Sequence, residues 1–303
     1  MPLLLDLARP HLQRLCGGTH CLGGPARTLV TPAAAARTPA AAPLPAAPQR
    51  QPAPAQKQPQ QRQRGAAATA RAFSGGADTM PLNYRQPIVV RPTEKHTGTV
   101  IMLHGLGDSG DGWAAIGDEF APALPHVKFI FPHAPSRPIT INMGMRMPGW
   151  YDISSLEDID QREDEAGLAE SKRYVESLVA AEAAEGVASD RVVVAGFSQG
   201  GAVAMTMLRS DKKLAAVVGL STYLPLRNED GIISAANAKT PVLQCHGDAD
   251  MVVNYAFGVS THNKLKELGA DAELKTYRGM GHSAVPSELA AVQEFIKKVL
   301  PQQ

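Results

Sequence analysis

A serine flanked by glycines follows an apolar, β-branched run and precedes a stretch with helical periodicity. The run is RVVVA at residues 191–195, and GFSQGG follows at residues 196–201. A G-x-S-x-G sequence between a strand and a helix folds as a sharp turn, in which the serine hydroxyl stands clear at the carboxyl edge of a sheet. The N-terminus of the following helix favours developing negative charge. This setting predicts Ser198 as a nucleophile in a fold with parallel strands.

Apolar runs of strand length alternate with longer amphipathic stretches from residue 86 onward. Several runs are apolar on both faces, which is typical of parallel strands covered by helices on each side. The alternation predicts an α/β fold, with a single doubly wound, mostly parallel sheet and helices on both faces. The predicted strands are 86–91, 98–104, 127–131, 191–195, 214–219, 241–246 and 273–277, and the predicted helices lie near 112–123, 163–185, 199–209, 255–268 and 286–299.

The stretch between residues 132 and 163 breaks this alternation. It is rich in Pro, Met and Gly and contains PSRPITINMGMRMPGWYDI. A connection of this length inside a compact domain is usually functional. We predict an irregular lid or insertion here.

Residues 1–79 differ in composition from the rest of the chain. They are rich in Ala, Pro, Gln and Arg and carry nine basic against two acidic residues, a formal charge of +7, whereas residues 80–303 carry −6. Such a segment buries too little apolar area to offset its ordering entropy. We predict a disordered arm over residues 1–79 and a folded domain over residues 80–303. The arm is interpreted as a transit peptide to a mitochondrion or plastid. The alternative is a tail that carries no targeting signal, on a cytoplasmic protein.

Several other classes of protein are disfavoured. No apolar stretch approaches the ~20 residues of a membrane span, so we expect no transmembrane segment and only transient contact with a membrane surface. Apart from the basic arm, nothing in the sequence indicates a nucleic-acid partner. Cys245 is the one cysteine after residue 79, which excludes an intramolecular disulfide framework in the folded part.

A base and an acid for Ser198 are expected later in the chain. His282 lies in the glycine-rich GMGHS, after a predicted strand and before the last predicted helix, and is well placed to take the serine proton. The acid belongs after the preceding strand, where GDAD offers both Asp248 and Asp250. One carboxylate would orient the imidazole and the other would shape a turn. Spacing alone does not decide which is which.

An oxyanion hole for such a serine needs two backbone N–H groups. The first comes from the residue after the nucleophile, which is Gln199. The second comes from the loop after an early strand, here GLGDSG at residues 105–110, and we assign it to Leu106.

These motifs occur together and in one order: LHGLGDSGDGW, the GWYDI of the insertion, GFSQGGAVAM, LQCHGDAD and GMGHS. Over residues 86–300 the chain resembles the acyl-protein thioesterase and carboxylesterase family of small α/β-hydrolases. The resemblance implies the α/β-hydrolase fold, a catalytic triad of Ser198, Asp250 and His282, and oxyanion donors at Leu106 and Gln199. It thereby favours the second aspartate over the first.

Two departures from the family pattern stand near the expected site. Residues 251–254 read MVVN where the family usually has a proline-rich turn, and Tyr223 stands where a tryptophan is common. We predict Ile153, Leu156 and Met251 to contact the acyl group.

The resemblance implies a serine hydrolase that cleaves fatty-acyl thioesters and esters through an acyl-enzyme on Ser198. The expected substrates are S-acylated proteins, which it would depalmitoylate. The alternatives are a general carboxylesterase or lysophospholipase acting on small or lipid esters, and a non-catalytic protein that binds a ligand on the same fold. We expect no cofactor and no metal.

Overall fold

Seven strands form the central sheet of the computed structural model, which describes residues 83–157, 159 and 162–303. The predicted arm and its targeting role lie outside the described residues. These seven strands are β1 (Ile88–Val90), β2 (Gly98–Leu103), β3 (Val127–Phe131), β6 (Val192–Phe197), β7 (Ala216–Leu220), β8 (Val242–Gly247) and β9 (Ala272–Tyr277), and β4 (Ser136–Ile139) and β5 (Met145–Pro148) form a separate pair. The helices are α1 (Gly110–Phe120), α2 (Glu165–Ala184), α3 (Gln199–Thr206), α4 (Tyr255–Glu267) and α5 (Pro286–Val299).

The strand order of the central sheet is β1-β3-β2-β6-β7-β8-β9, and β1 alone runs antiparallel to its neighbour. The chain winds from β2 to β3 in one direction and from β6 to β9 in the other. The loops after β2 and β6 therefore diverge at a topological switch point, where open α/β sheets bind their ligands. This position places the loop after β2 and the GFSQGG turn side by side.

Two apolar layers cover the sheet, one on each face. On one face α2, α3 and α4 pack through residues such as Val175, Val203 and Leu265. On the other face α1 and α5 pack through residues such as Trp113 and Ile296. The predicted doubly wound, mostly parallel sheet with helices on both faces is thus confirmed, and each predicted strand and helix is present with bounds that differ by a few residues.

The insertion after β3 is more regular than predicted. Strands β4 and β5 pair as an antiparallel hairpin, with Ser136 opposite Pro148 and Ile139 opposite Met145. Burial alternates along β4, as the period-two pattern of a half-buried strand requires. The prolines of this segment hide that pattern in the sequence, although an isolated two-stranded ribbon tolerates them. Within the described part of the chain, no helix has both the length and the apolar character needed to cross a bilayer.

Candidate active site

The turn between β6 and α3 holds Ser198 in a backbone conformation that few side chains adopt. Its φ is 52° and its ψ is −119°. The turn requires glycine at two positions for steric reasons. A Cβ at Gly196 would overlap the backbone of Gly200, and a Cβ at Gly200 would overlap the carbonyl of Leu103. The serine N–H donates to the carbonyl of Leu220 on β7, which fixes the turn to the adjacent strand.

Ser198, His282 and Asp250 form one hydrogen-bonded chain. Nε2 of His282 lies 2.9 Å from Oγ of Ser198, and Nδ1 of His282 lies 2.8 Å from Oδ2 of Asp250. The imidazole is also packed against the ring of Phe197, with ring centroids 4.8 Å apart. The three side chains come from the loops after β6, β8 and β9, so the carboxyl ends of three parallel strands supply them.

Asp250 is held as a carboxylate. It is only 3% exposed, and its Oδ1 accepts the backbone N–H groups of Val252 and Val253, each at 2.9 Å. Burial alone would raise its pKa, but the hydrogen bonds from His246 and His282 and the backbone N–H of Val252 outweigh burial and hold the pKa far below its usual value.

Asp248 has a different task. It is exposed, and its Oδ1 accepts the backbone N–H of Gly279 at 2.6 Å. The aspartate that does not orient the imidazole is expected to shape a turn through its own neighbouring backbone, and this is wrong, because Asp248 bonds to the separate turn that begins the His282 loop. The structure distinguishes the two aspartates that spacing alone leaves equivalent.

The predicted oxyanion donors lie on the two loops at the switch point. Gln199 is the first residue of α3, where backbone N–H groups have no partner within the helix. Leu106 lies in the loop after β2, beside His104. The buried His104 donates from Nδ1 to the carbonyl of Gly105 and accepts the N–H of Ala134 at Nε2, and burial lowers its pKa to about 4. A neutral imidazole thus fixes the start of this loop.

Two side chains near the site have bonds that sequence reasoning missed. The amide of Gln199 bonds to the backbone of residues 150 and 151, and the indole N–H of Trp150 donates to the carbonyl of His104. The only sequence signals were a large aromatic residue in an otherwise Pro- and Met-rich loop and an amide among small residues.

The predicted substrate-binding residues occupy different environments. Ile153 is buried in the apolar cluster on the α2 face, and Leu156 packs at the edge of that cluster. Met251 is 91% exposed, next to Asp250 in the chain.

Two buried tyrosines lie in the same cluster as Ile153. The hydroxyls of Tyr151 and Tyr223 are 2.8 Å apart. Burial raises the pKa of both tyrosines, that of Tyr223 to about 12, so that both hydroxyls are protonated at neutral pH. The departure at Tyr223 therefore places a polar pair inside an apolar cluster.

Comparison with known proteins agrees with this geometry. A family model described as phospholipase/carboxylesterase matches residues 84–300. Acyl-protein thioesterase 1 of Neurospora crassa is 45% identical over 227 residues, which cover 72% of this chain and 93% of that protein. Acyl-protein thioesterase 1 of Gibberella zeae is 44% identical over 225 residues, which cover 71% and 96%. The crystal structure of Zea mays acyl-protein thioesterase 2 matches with a TM-score of 0.63 at 32% identity, covering 72% of this chain and 100% of that one.

Proposed function

The chain belongs to the phospholipase/carboxylesterase family of α/β-hydrolases, and we propose that it is an acyl-protein thioesterase that removes fatty acyl groups from S-acylated cysteines. The observation that carries this proposal is the hydrogen-bonded chain of Ser198, His282 and Asp250 at the carboxyl edge of the sheet. The relatives named acyl-protein thioesterase support the choice of substrate class.

In the acylation step, Oγ of Ser198 attacks the thioester carbonyl carbon while Nε2 of His282 takes the hydroxyl proton. Asp250 stays ionised, so it holds Nδ1–H of His282 in place and stabilises the imidazolium that forms. The carbonyl oxygen becomes an oxyanion, which the backbone N–H groups of Leu106 and Gln199 would bind. The C–S bond then breaks, and Nε2–H of His282 protonates the departing cysteine thiolate.

Deacylation reverses these roles with water. His282 removes a proton from water, and the hydroxide attacks the acyl carbon bound to Ser198. The second tetrahedral intermediate uses the same two N–H donors. The bond to Oγ breaks, Ser198 regains its proton from His282, and the fatty acid leaves. The chain supplies every acid, base and donor that this cycle needs.

The acyl chain is proposed to lie along the apolar side of the insertion. Leu156 is partly buried at the edge of the apolar cluster on the α2 face and offers apolar surface there, whereas Ile153 is buried within that cluster. Each methylene moved from water onto such apolar surface contributes up to about 0.8 kcal/mol to the free energy of binding. A long acyl chain would therefore gain far more than an acetyl group.

The direct test combines labelling with a substrate panel. A fluorophosphonate should label the parent protein but not the Ser198→Ala variant, and thioester hydrolysis by that variant should fall by about 10⁴–10⁶ in kcat. Palmitoyl-peptide thioesters, lysophospholipids and p-nitrophenyl esters should then be compared by kcat/KM. A preference for small esters over palmitoyl thioesters would favour the carboxylesterase alternative. Absence of labelling would support a ligand-binding protein instead.

A further inference from the structure

The two proposed oxyanion donors lie beyond the hydrogen bonds of the sheet. The ladder between β2 and β6 ends at the pair Leu103 and Gly196. Leu106 and Gln199 each follow three residues later in the chain. The hydrogen bonds between β2 and β6 therefore do not by themselves set the distance between the two backbone N–H groups, although an oxyanion hole needs both donors within about 2.7–3.1 Å of one oxygen.

The bridging segment, defined as residues 148–151, is bonded to the loop that carries Leu106. The carbonyl of Pro148 accepts the backbone N–H of Gly107 at 2.8 Å. The indole Nε1–H of Trp150 donates to the carbonyl of His104, also at 2.8 Å. These two bonds hold the loop on both sides of Leu106.

The same segment is bonded to Gln199 through that residue's side chain. Oε1 of Gln199 accepts the backbone N–H of Trp150 at 2.9 Å, and Nε2 donates to the carbonyl of Tyr151 at 2.6 Å. Gln199 is only 2% exposed, so both bonds are shielded from water. An amide that bonds to one N–H and one C=O fixes its own backbone firmly relative to the segment.

A third contact ties the bridging segment to α2. The hydroxyl of Ser171 on α2 donates to the carbonyl of Trp150, and Trp150 is fully buried. The indole also lies against the ring of His104, with centroids 5.1 Å apart. The segment is thereby tied to α2, to the loop after β2 and to the start of α3.

We propose that the bridging segment sets the separation of the two oxyanion donors, with the Gln199 side chain and the Trp150 indole as its positioning residues. The inference rests on the proposed donor roles of Leu106 and Gln199, and it assigns to the Gln199 side chain a role separate from that of its backbone N–H. A misplacement of about 1 Å at a reacting centre can cost 10²-fold in rate. Loss of the bridge should therefore lower kcat and leave substrate binding nearly intact.

The test uses two uncharged substitutions that approach the bridge from opposite ends. Gln199→Met keeps the side-chain length and the backbone N–H but removes both amide bonds. Trp150→Phe keeps an aromatic ring but removes the indole donor to His104. Each variant is assayed with p-nitrophenyl butyrate and with a palmitoyl thioester, and inhibition by an alkyl trifluoromethyl ketone is measured. This ketone forms a tetrahedral adduct with Ser198, so its affinity reports on the oxyanion hole.

Asn237 provides the matched control. It is also a buried amide, and it bonds to the backbone N–H of Leu214 and to the carbonyls of Ser210 and Lys212. Its partners precede β7, so it lies at the amino edge of the sheet, away from the site. Asn237→Leu removes comparable bonds and reports the effect of lost stability alone.

For both bridge variants we expect kcat to fall about 10–100-fold with KM within about threefold, and the inhibition constant of the ketone to rise by the same factor as kcat falls. Asn237→Leu should lower Tm but keep kcat within about twofold of the parent. The inference is overturned if a folded bridge variant keeps the parent kcat, if kcat falls without loss of ketone affinity, or if the control loses as much kcat. If the parent hydrolyses butyrate esters but no palmitoyl thioester, the proposed substrate class is wrong. The proposed role of the bridging segment is then still tested by the kcat of the variants on the butyrate ester.

Discussion

Glu288→Gln is expected to stabilise the folded domain at alkaline pH and to change its stability little at acidic pH. Glu288 lies in the first turn of α5 and has no exposed surface. Neither of its carboxyl oxygens has a hydrogen-bond partner among the described residues. Burial raises the pKa of this carboxyl to about 8, and the nearby backbone N–H of Val285 offsets only part of the increase.

The magnitude follows from the two protonation equilibria. The pKa is 4.5 in the unfolded chain and about 8 in the fold, so between these values the folded state keeps a proton that the unfolded state has lost. The free energy of unfolding of the parent therefore falls as pH rises, by about 1.4 kcal/mol per pH unit. Between the two pKa values the free energy of unfolding falls by at most about 5 kcal/mol. A glutamine amide carries no charge, so the variant should not show this decline.

The assay is urea denaturation of parent and variant at several values between about pH 5 and pH 8.5. Burial raises the pKa of the neighbouring Cys245 to about 12 and also raises that of Tyr277, so neither ionises within the fold in this range, and their ionisation in the unfolded chain is the same in parent and variant. Glu294→Gln, at an exposed position of the same helix, is the control and should follow the parent. If the free energies of unfolding of parent and Glu288→Gln change in parallel across the range, the buried carboxyl holds no proton and the reasoning is refuted.

Three further predictions concern the site and the arm. Asp250→Asn should lower kcat by about 10²–10⁴ and Asp248→Asn by less than about tenfold, because only the former orients the imidazole; equal losses would contradict the assignment. Leu156→Trp should lower kcat/KM progressively with acyl length from acetyl to palmitoyl, and a ratio independent of length would exclude this residue from the channel. A protein that begins at Met80 should keep the parent kcat/KM and Tm. Residues 1–79 fused to a fluorescent protein should accumulate in mitochondria or plastids, whereas a diffuse cytoplasmic signal would favour a tail that carries no targeting signal.

The sequence predicts the sheet and the positions of the site residues because both follow from short-range patterns. The β-branched runs of β2 and β6 are apolar on both faces, and the loops after parallel strands meet at one edge. Ser198 and His282 come together as the motif order predicts, and the aspartate that joins them is Asp250, which only the family resemblance favoured over Asp248. Their catalytic roles stay predictions until they are tested.

The features that the sequence did not reveal depend on contacts between distant segments. The partner of Asp248 is Gly279, on another strand connection. The amide of Gln199 bonds to residues 150 and 151 of the insertion, about fifty positions earlier in the chain. A glutamate in the first turn of a helix is usually a solvated capping residue, so only the packed structure shows that Glu288 is buried.

The parts of the site are supplied by four segments that lie far apart in the chain. The loop with Leu106 comes early, and His282 follows β9, which is an edge strand of the central sheet among the residues that the structure describes. Such non-local pairings form slowly, because the entropy of closing long loops must be overcome before the contacts stabilise them. Recovery of esterase activity after dilution from denaturant should therefore lag behind the recovery of helical circular dichroism. The recovery of catalysis would then report when the loop after β9 joins the rest of the site, a step that the circular dichroism of the helices does not detect.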